Sequence, residues 1–306
     1  MRADPRITVI GPGAIGLMHA AVLARAGLEV SLLDYRPERA AALNSDGFSI
    51  HGAVGHIEVR LPCTVDVSEL PPPDLAMVCV KAYSTAEALR HASTAFSRDT
   101  VVLTMQNGLG NYELVVETVG ADRALAGTTL SGAYRTGPQD VVIAAVGQIR
   151  IGGTSSAAQN ANSICETFTA AGLPAELSND IDTMLWHKAI INAGINPLGA
   201  LAGVPNGDLL EVSALRQLLQ DIVVEAEEVA AAEGVRLPEN MITVVEEVAA
   251  ATAQNHCSML QDLQAGRRTE IRQINGALVA IGQRHNLPVD LNEAVTTLVS
   301  AAERDR

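Results

Sequence analysis

Positive charge is scarce in this sequence: 21 of its 306 residues are Lys or Arg, against 35 Asp or Glu, for a formal net charge of −14. Nucleic acid and anionic membrane surfaces select for basic patches, so neither is an expected partner. An anionic small molecule is not excluded, because a pocket can be basic inside an acidic protein. Cysteine is sparse too. Cys63, Cys79, Cys165 and Cys257 stand apart with no CxxC pair, which argues against a disulfide framework or a thiolate zinc site and for buried thiols in a reducing cytosol. The seven His show no HxxxH spacing, and no metal is expected. A membrane span is also missing: the longest uncharged run, Ala189 to Gly207, carries three Asn and two Pro. Repeats and low-complexity linkers are absent. With 48% hydrophobic and 18% charged residues, the composition is that of a folded chain. The opening MRADPRITVIGPG runs into a strand within a few residues, so no targeting segment is expected and the location is expected to be cytoplasmic.

What is present falls into two halves. Short apolar runs alternate with helical stretches up to about residue 175, the pattern of a parallel sheet covered on both faces. Ile7–Ile10, Glu29–Asp34, Leu75–Val80, Thr100–Met105 and Ala124–Leu130 read as strands. Phe48–Cys63 reads as a hairpin-like excursion, and Val141–Ile151 as part of an antiparallel pair at the sheet's far edge. Ala- and Glu-rich helical patterns then take over at about 156–171, 180–195, 212–233, 240–254, 269–285 and 290–304. The expected fold is an α/β Rossmann-type N-terminal domain (1–175) followed by an all-α C-terminal domain (176–306), packed around a shared cleft. Apolar faces suffice for a homodimer, but nothing in the pattern identifies one.

The sharpest local motif is Gly11-Pro12-Gly13-Ala14-Ile15-Gly16, directly after the strand Ile7–Ile10. The first Gly permits a tight turn, the second lets backbone approach a pyrophosphate, and the third lets helix pack on strand. The pyrophosphate then meets the positive end of a helix. Asp34, at the end of the next strand, can accept the adenosine ribose hydroxyls and repel a 2′-phosphate, which favours NAD(H) over NADP(H). It can equally open a turn, and Arg36 and Arg39 stand close enough to bind a 2′-phosphate.

In LWHKAIINAGINPL, Lys188, Asn192 and Asn196 are four residues apart and share one helical stripe among apolar neighbours. Such groups are costly to bury unless they meet partners or a ligand. The stripe suits a 2-oxo acid: the ammonium can protonate a ketone oxygen and the amides can hold carboxylate or hydroxyl oxygens. An interhelical polar network with a snorkelling lysine would read the same way.

Several motifs in order, running nearly end to end, resemble the ketopantoate reductase (2-dehydropantoate 2-reductase) family. They are GPGAIG, VCVKAY with Lys81, MQNGLGNYE with Asn107, LWHKAIINAGINPL, the VPNG turn with Asn206, Cys257-Ser-Met-Leu-Gln-Asp262, and Arg268-Thr-Glu270-Ile. The resemblance implies that Lys188 is the general acid and Glu270 its acidic partner, binding the substrate hydroxyl. It implies that Asn192, Asn196, Asn206 and Ser258 hold substrate. Asn107 would lie between nicotinamide ribose and substrate, and Lys81 on the cofactor side. The residues alone also allow an Asn-Gly turn at Asn107 and at Asn206, a surface lysine at Lys81, a plain helical hydroxyl at Ser258, and a helix first-turn carboxylate at Glu270.

One departure stands out. Tyr35 occupies the position where many family members grip the NADP 2′-phosphate with arginine. The leading expectation is reduction of 2-dehydropantoate to (R)-pantoate. An NAD-linked, mandelate-like D-2-hydroxyacid dehydrogenase of the same family comes next, then a β-hydroxyacid dehydrogenase. A non-enzymatic dinucleotide sensor would have no need of Lys188 with Glu270.

Overall fold

Three β-branched apolar residues and Thr8, all buried, make Ile7–Ile10 (β1) a strand covered on both faces. A glycine turn leads to α1 (Ala14–Arg25), and the alternation continues through β2 (Val30–Leu33), α2 (Pro37–Asp46), β3 (Phe48–Gly52), β4 (Ile57–Val59), β5 (Cys63–Thr64) and β6 (Leu75–Val78). Then come α3 (Thr85–Ala92), β7 (Val101–Thr104), α4 (Asn111–Val119), β8 (Ala124–Thr129), β9 (Gly132–Arg135), β10 (Asp140–Ala145), β11 (Ile149–Gly152), α5 (Ala158–Ala170) and β12 (Ala175–Leu177). The rest is helical: α6 (Ile181–Ala202), α7 (Asp208–Glu211), α8 (Ser213–Ala232), α9 (Met241–Ala251), α10 (Ser258–Gln264), α11 (Asn275–Arg284) and α12 (Asp290–Ala302). The computed structural model describes residues 5–303. The extreme ends of the two expected domains, and the last position of the expected helix 290–304, lie outside the described residues. No helix among the described residues is long and apolar enough to cross a membrane.

The chain divides into two compact units. Unit 1 is Met1–Gln106 with Asn111–Ile181, and unit 2 is Asn107–Gly110 with Asp182–Arg306. Unit 1 holds an eight-stranded sheet in the order β12-β11-β8-β7-β6-β1-β2-β5. All its neighbours run parallel except β11 against β8. A separate four-stranded sheet, β4-β3-β10-β9, packs on α1. That second sheet explains why α1 is buried from Gly16 through Leu23 rather than along one stripe: it has a sheet on either side.

Unit 2 is a helical body around α6. Its core runs from Trp186 and Ile190 on α6 through Ile222 and Val229 on α8 to Leu278 on α11 and Val299 on α12.

Some expectations are corrected. Val141–Ile151 does not form one edge pair: β10 joins the small sheet, parallel to β3 and antiparallel to β9, while β11 joins the large one. Between the expected helices 156–171 and 180–195 a further strand forms, as β12 adds three residues alongside β11. The expected helix 269–285 begins only at Asn275, and 180–195 continues through Pro197 to Ala202. The physical reason at Pro197 appears below.

Candidate functional site

In unit 1, β1 has β2 on one side and β6 on the other, so the chain leaves the sheet in opposite directions at their carboxyl ends. Ligands of open α/β sheets sit at such switch points. Gly11 is there with φ +88°, and a Cβ on it would lie 2.7 Å from the Val80 backbone nitrogen. A Cβ on Gly16 would lie 2.6 Å from the Gly11 carbonyl oxygen. Both glycines are therefore demanded by packing. Gly13 is different: its φ is −78°, and a Cβ there meets nothing within 4 Å. Folding does not require that glycine, which leaves bare backbone beside the first turn of α1. That turn has no acidic residue, and Gly13, its cap, supplies no side-chain hydrogen bond. Pro12 is buried, while Ala14 and Ile15 are partly exposed in this turn. The open amides fit a dinucleotide pyrophosphate.

Asp34 follows β2, and its carboxylate is wholly buried and engaged. Its Oδ1 accepts from the Tyr35 amide (2.7 Å), the Arg36 amide (3.1 Å) and Arg39 Nη2 (2.8 Å); Oδ2 accepts from Arg39 Nε. Sequence reasoning placed Arg39 nearby but missed that pairing, because charge spacing alone does not say which partner an arginine takes.

Lys81, partly exposed just past β6, opens a short turn at 82–84. Gln106 steadies that loop, its Nε2 donating to the Val80 carbonyl (2.9 Å) and to Thr85 Oγ1 (2.6 Å). A cavity of roughly 460 Å³ on unit 1 is lined in part by Asp46, Glu58, Arg60 and Asp140, and holds none of the expected residues. Its carboxylates make it a poor seat for an anionic 2-oxo acid.

In unit 2, α6 carries Lys188, Asn192 and Asn196 on successive turns, with both asparagines buried. Asn192 Nδ2 donates to Asn107 Oδ1 (3.3 Å), and Asn107 Nδ2 donates to Glu270 Oε2 (3.4 Å). The structure thus brings Asn192, Asn107 and Glu270 together in one chain of long bonds.

Lys188 has no hydrogen-bond or ion-pair partner among the described residues. Burial pushes its ammonium down from 10.5 to about 8. The side chain of Asn196 likewise finds no protein partner among the described residues. Asn206 is buried; its Nδ2 donates to Thr252 Oγ1 (2.9 Å) while its Oδ1 accepts nothing. Ser258, exposed, is the first residue of α10, capped by Cys257.

Glu270 is not a first-turn residue, as its place in the expected helix 269–285 implied. It sits in a turn ahead of α11, its carbonyl accepting from the Gln273 and Ile274 amides. The preceding Thr269 is held by Glu303, which accepts from its amide (2.8 Å) and its hydroxyl (2.6 Å).

Pro197 lies inside α6, where its missing N–H leaves the carbonyl four residues back without a helical donor. That carbonyl belongs to Ala193, and Asn275 Nδ2 donates to it at 3.1 Å. Asn275 also donates to Asn292 Oδ1 (3.0 Å), whose Nδ2 reaches Glu225 Oε2 (2.8 Å). The helix therefore continues past the proline and keeps Asn196 in register with Lys188. Proline within the helical pattern was a signal that a side-chain donor is needed, though not of which one. Asn275→Leu is expected to destabilise unit 2 by about 1–3 kcal/mol, the cost of stranding a buried acceptor. Denaturant unfolding measures it.

Against known proteins, two family models match. Residues 7–156 match "Ketopantoate reductase PanE/ApbA", and residues 180–303 match "Ketopantoate reductase PanE/ApbA C terminal". The chain belongs to the ketopantoate reductase family. Among relatives, a 2-dehydropantoate 2-reductase of Halobacterium salinarum is 37% identical, covering 98% of this chain and 99% of its own. Among solved structures, a PanE/ApbA family ketopantoate reductase from Ralstonia eutropha superposes with TM-score 0.89 at 30% identity, covering 98% of each chain. D-mandelate dehydrogenase, solved with NADH and anilino(oxo)acetate, superposes with TM-score 0.91 at 25% identity over 98% of each chain. Proteins of both leading readings thus share this fold.

Proposed function

We propose that the chain is an oxidoreductase that reduces 2-dehydropantoate to pantoate with a nicotinamide dinucleotide. The observation that carries this reading is Lys188, half-buried and without a counter-ion among the described residues, its pKa lowered to about 8 by desolvation, on the helix that also buries Asn192 and Asn196. A protein does not ordinarily leave such a charge uncompensated, whereas a site for an anionic 2-oxo acid requires it.

A bound reduced nicotinamide dinucleotide would supply the hydride; Gly11, Gly13, Gly16 and Lys81 are the residues to hold it, with the Asp34–Arg39 pair at the end of β2. The chain's own contribution is positioning and protonation. Lys188 donates its proton to the C2 ketone oxygen as negative charge develops there. Asn192, Asn196 and Ser258 offer donors to the substrate's oxygens, and the Asn107–Glu270 bond orients Glu270 toward the substrate hydroxyl. Asn206 Oδ1, buried and unpartnered, accepts that same kind of donor.

This last point separates the two substrates within the family. 2-Dehydropantoate carries a terminal hydroxyl that can donate its one proton to Asn206 Oδ1 or to Glu270; phenylglyoxylate carries none. A site built to hydrogen-bond a hydroxyl discriminates strongly against an analogue without it. The mandelate-like reading stays second, supported by the similarity in fold. For the cofactor, Asp34 is engaged by Arg39, so its charge alone selects neither NAD(H) nor NADP(H).

The reading carries a pH signature. The general acid must be protonated, and burial holds Lys188 near 8 in the free protein. kcat/KM for ketopantoate reduction is therefore expected to be flat below that value and to fall as pH rises through about 8. The bound substrate carboxylate favours the charged ammonium, so kcat should fall at a higher pH than kcat/KM does. Initial rates from pH 6 to about 10, with pantoate identified as product, test both limbs. A kcat/KM that climbs through this range would remove Lys188 from the acid role.

A further inference from the structure

We propose that Arg39, through its pairing with Asp34, decides how strictly the enzyme distinguishes NAD(H) from NADP(H). The inference rests on the reading of unit 1 as the dinucleotide site and deepens it. A carboxylate ending the second strand of such a fold ordinarily accepts the ribose 2′-hydroxyl and repels a 2′-phosphate. Asp34 is not free to do either. Its side chain is 0% exposed, and both oxygens are taken, Oδ1 by the Tyr35 and Arg36 amides and Arg39 Nη2, Oδ2 by Arg39 Nε.

The pair has two consequences at this point of the fold. The negative charge on which repulsion depends is cancelled at close range by a guanidinium. The guanidinium itself keeps donors in hand: of its five N–H groups, Nε and one on Nη2 face Asp34, and the side chain remains 17% exposed. Beside it, Tyr35 is 66% exposed and stands between two cations, its ring centroid 5.0 Å from the Arg36 guanidinium and 5.9 Å from that of Arg39. Arg36 Nε also donates to the Tyr35 hydroxyl at 2.8 Å. The end of β2 therefore offers a neutralised carboxylate flanked by arginines, the chemistry that admits a phosphate monoester. NADPH is accepted beside NADH, and Arg39 is the residue that permits it.

The test is the ratio of NADPH to NADH affinity, from equilibrium titration of each cofactor without substrate, read beside the same ratio of kcat/KM with 2-dehydropantoate, in the wild type and two variants. Arg39→Met keeps the apolar stem and exposes the charge of Asp34; the ratio should fall by about tenfold or more. Asp34→Asn keeps an acceptor for the Tyr35 and Arg36 amides and leaves Arg39 uncompensated; the ratio should rise by about tenfold or more. Shifts of opposite sign are the signature, because a purely structural role lowers both cofactors together. Should Arg39→Met fail to fold, the near-isosteric Asp34→Asn decides alone. A ratio unmoved within about twofold in every folded variant overturns the role of Arg39 while leaving the function intact. A wild type that binds neither cofactor overturns the dinucleotide reading and this one with it, whereas binding without turnover of 2-dehydropantoate overturns only the substrate assignment.

Discussion

Lys188→Met is expected to lower kcat for ketopantoate reduction by about 10²- to 10⁴-fold while leaving the protein as stable as before, or more so. The two effects have one cause. Lys188 is pushed down to about 8 by burial and has no counter-ion among the described residues. Below that pH the folded state therefore carries a partly desolvated charge with no counter-ion among the described residues, and methionine of similar length removes it. Loss of the proton donor raises the barrier by about 3–5 kcal/mol, as the fold-change implies. Dinucleotide binding, proposed for unit 1, should be unchanged. Thermal unfolding, cofactor titration and single-turnover rates measured on one preparation separate the three quantities. Full activity in the variant would show that the α6 stripe is an interhelical network or the remnant of a sensor. A marked loss of stability would show that Lys188 has a protein partner after all.

The second large effect lies in the glycine turn, where Gly11→Ala and Gly13→Ala should fail for different reasons. At Gly11, φ is +88° and the new Cβ would press on the Val80 backbone. The left-handed backbone alone costs about 1–2 kcal/mol. Overpacking adds about 1–3 kcal/mol. The sum is a large part of the roughly 5–15 kcal/mol that holds a typical domain. Gly11→Ala should therefore unfold at distinctly lower denaturant, cofactor or no cofactor. At Gly13 the Cβ meets nothing within 4 Å and the backbone is unstrained. Gly13→Ala should melt with the wild type yet bind NADH at least about tenfold more weakly, because the methyl stands where the pyrophosphate approaches. Equal affinity in the two proteins would place the dinucleotide elsewhere.

The contrast between those glycines also shows what the sequence could disclose. GPGAIG after an apolar run, with a carboxylate ending the next strand, marked β1, α1 and β2 because each signal is local. The residues of LWHKAIINAGINPL were legible for the same reason, since a helical period of about four places Lys188, Asn192 and Asn196 on one stripe. Long-range pairing was not legible. The partnership of β3 with β10 joins segments far apart in the chain, and β12 is too short to stand out. The course of α6 beyond Pro197 depends on a donor from Asn275, and nothing near Pro197 in sequence announces it. The state of Asp34 was hidden likewise. Its position at the strand end was plain, but its engagement by Arg39 is a matter of side-chain geometry. Glu270 was misread as a helix first-turn residue because TEIRQINGALV keeps a helical pattern from its start, whereas the chain makes a turn, held at Thr269 by Glu303, before α11 begins.

The most direct test is the specificity ratio, kcat/KM for 2-dehydropantoate over kcat/KM for phenylglyoxylate, with whichever reduced dinucleotide works better. Asn206 Oδ1, a buried acceptor without a partner among the described residues, and Glu270 are each able to take the one proton of a substrate hydroxyl, so a ratio of at least about 10² in favour of 2-dehydropantoate is expected. A ratio below one, with brisk turnover of phenylglyoxylate, would contradict the pantoate assignment and make the chain a D-2-hydroxyacid dehydrogenase built on the same fold.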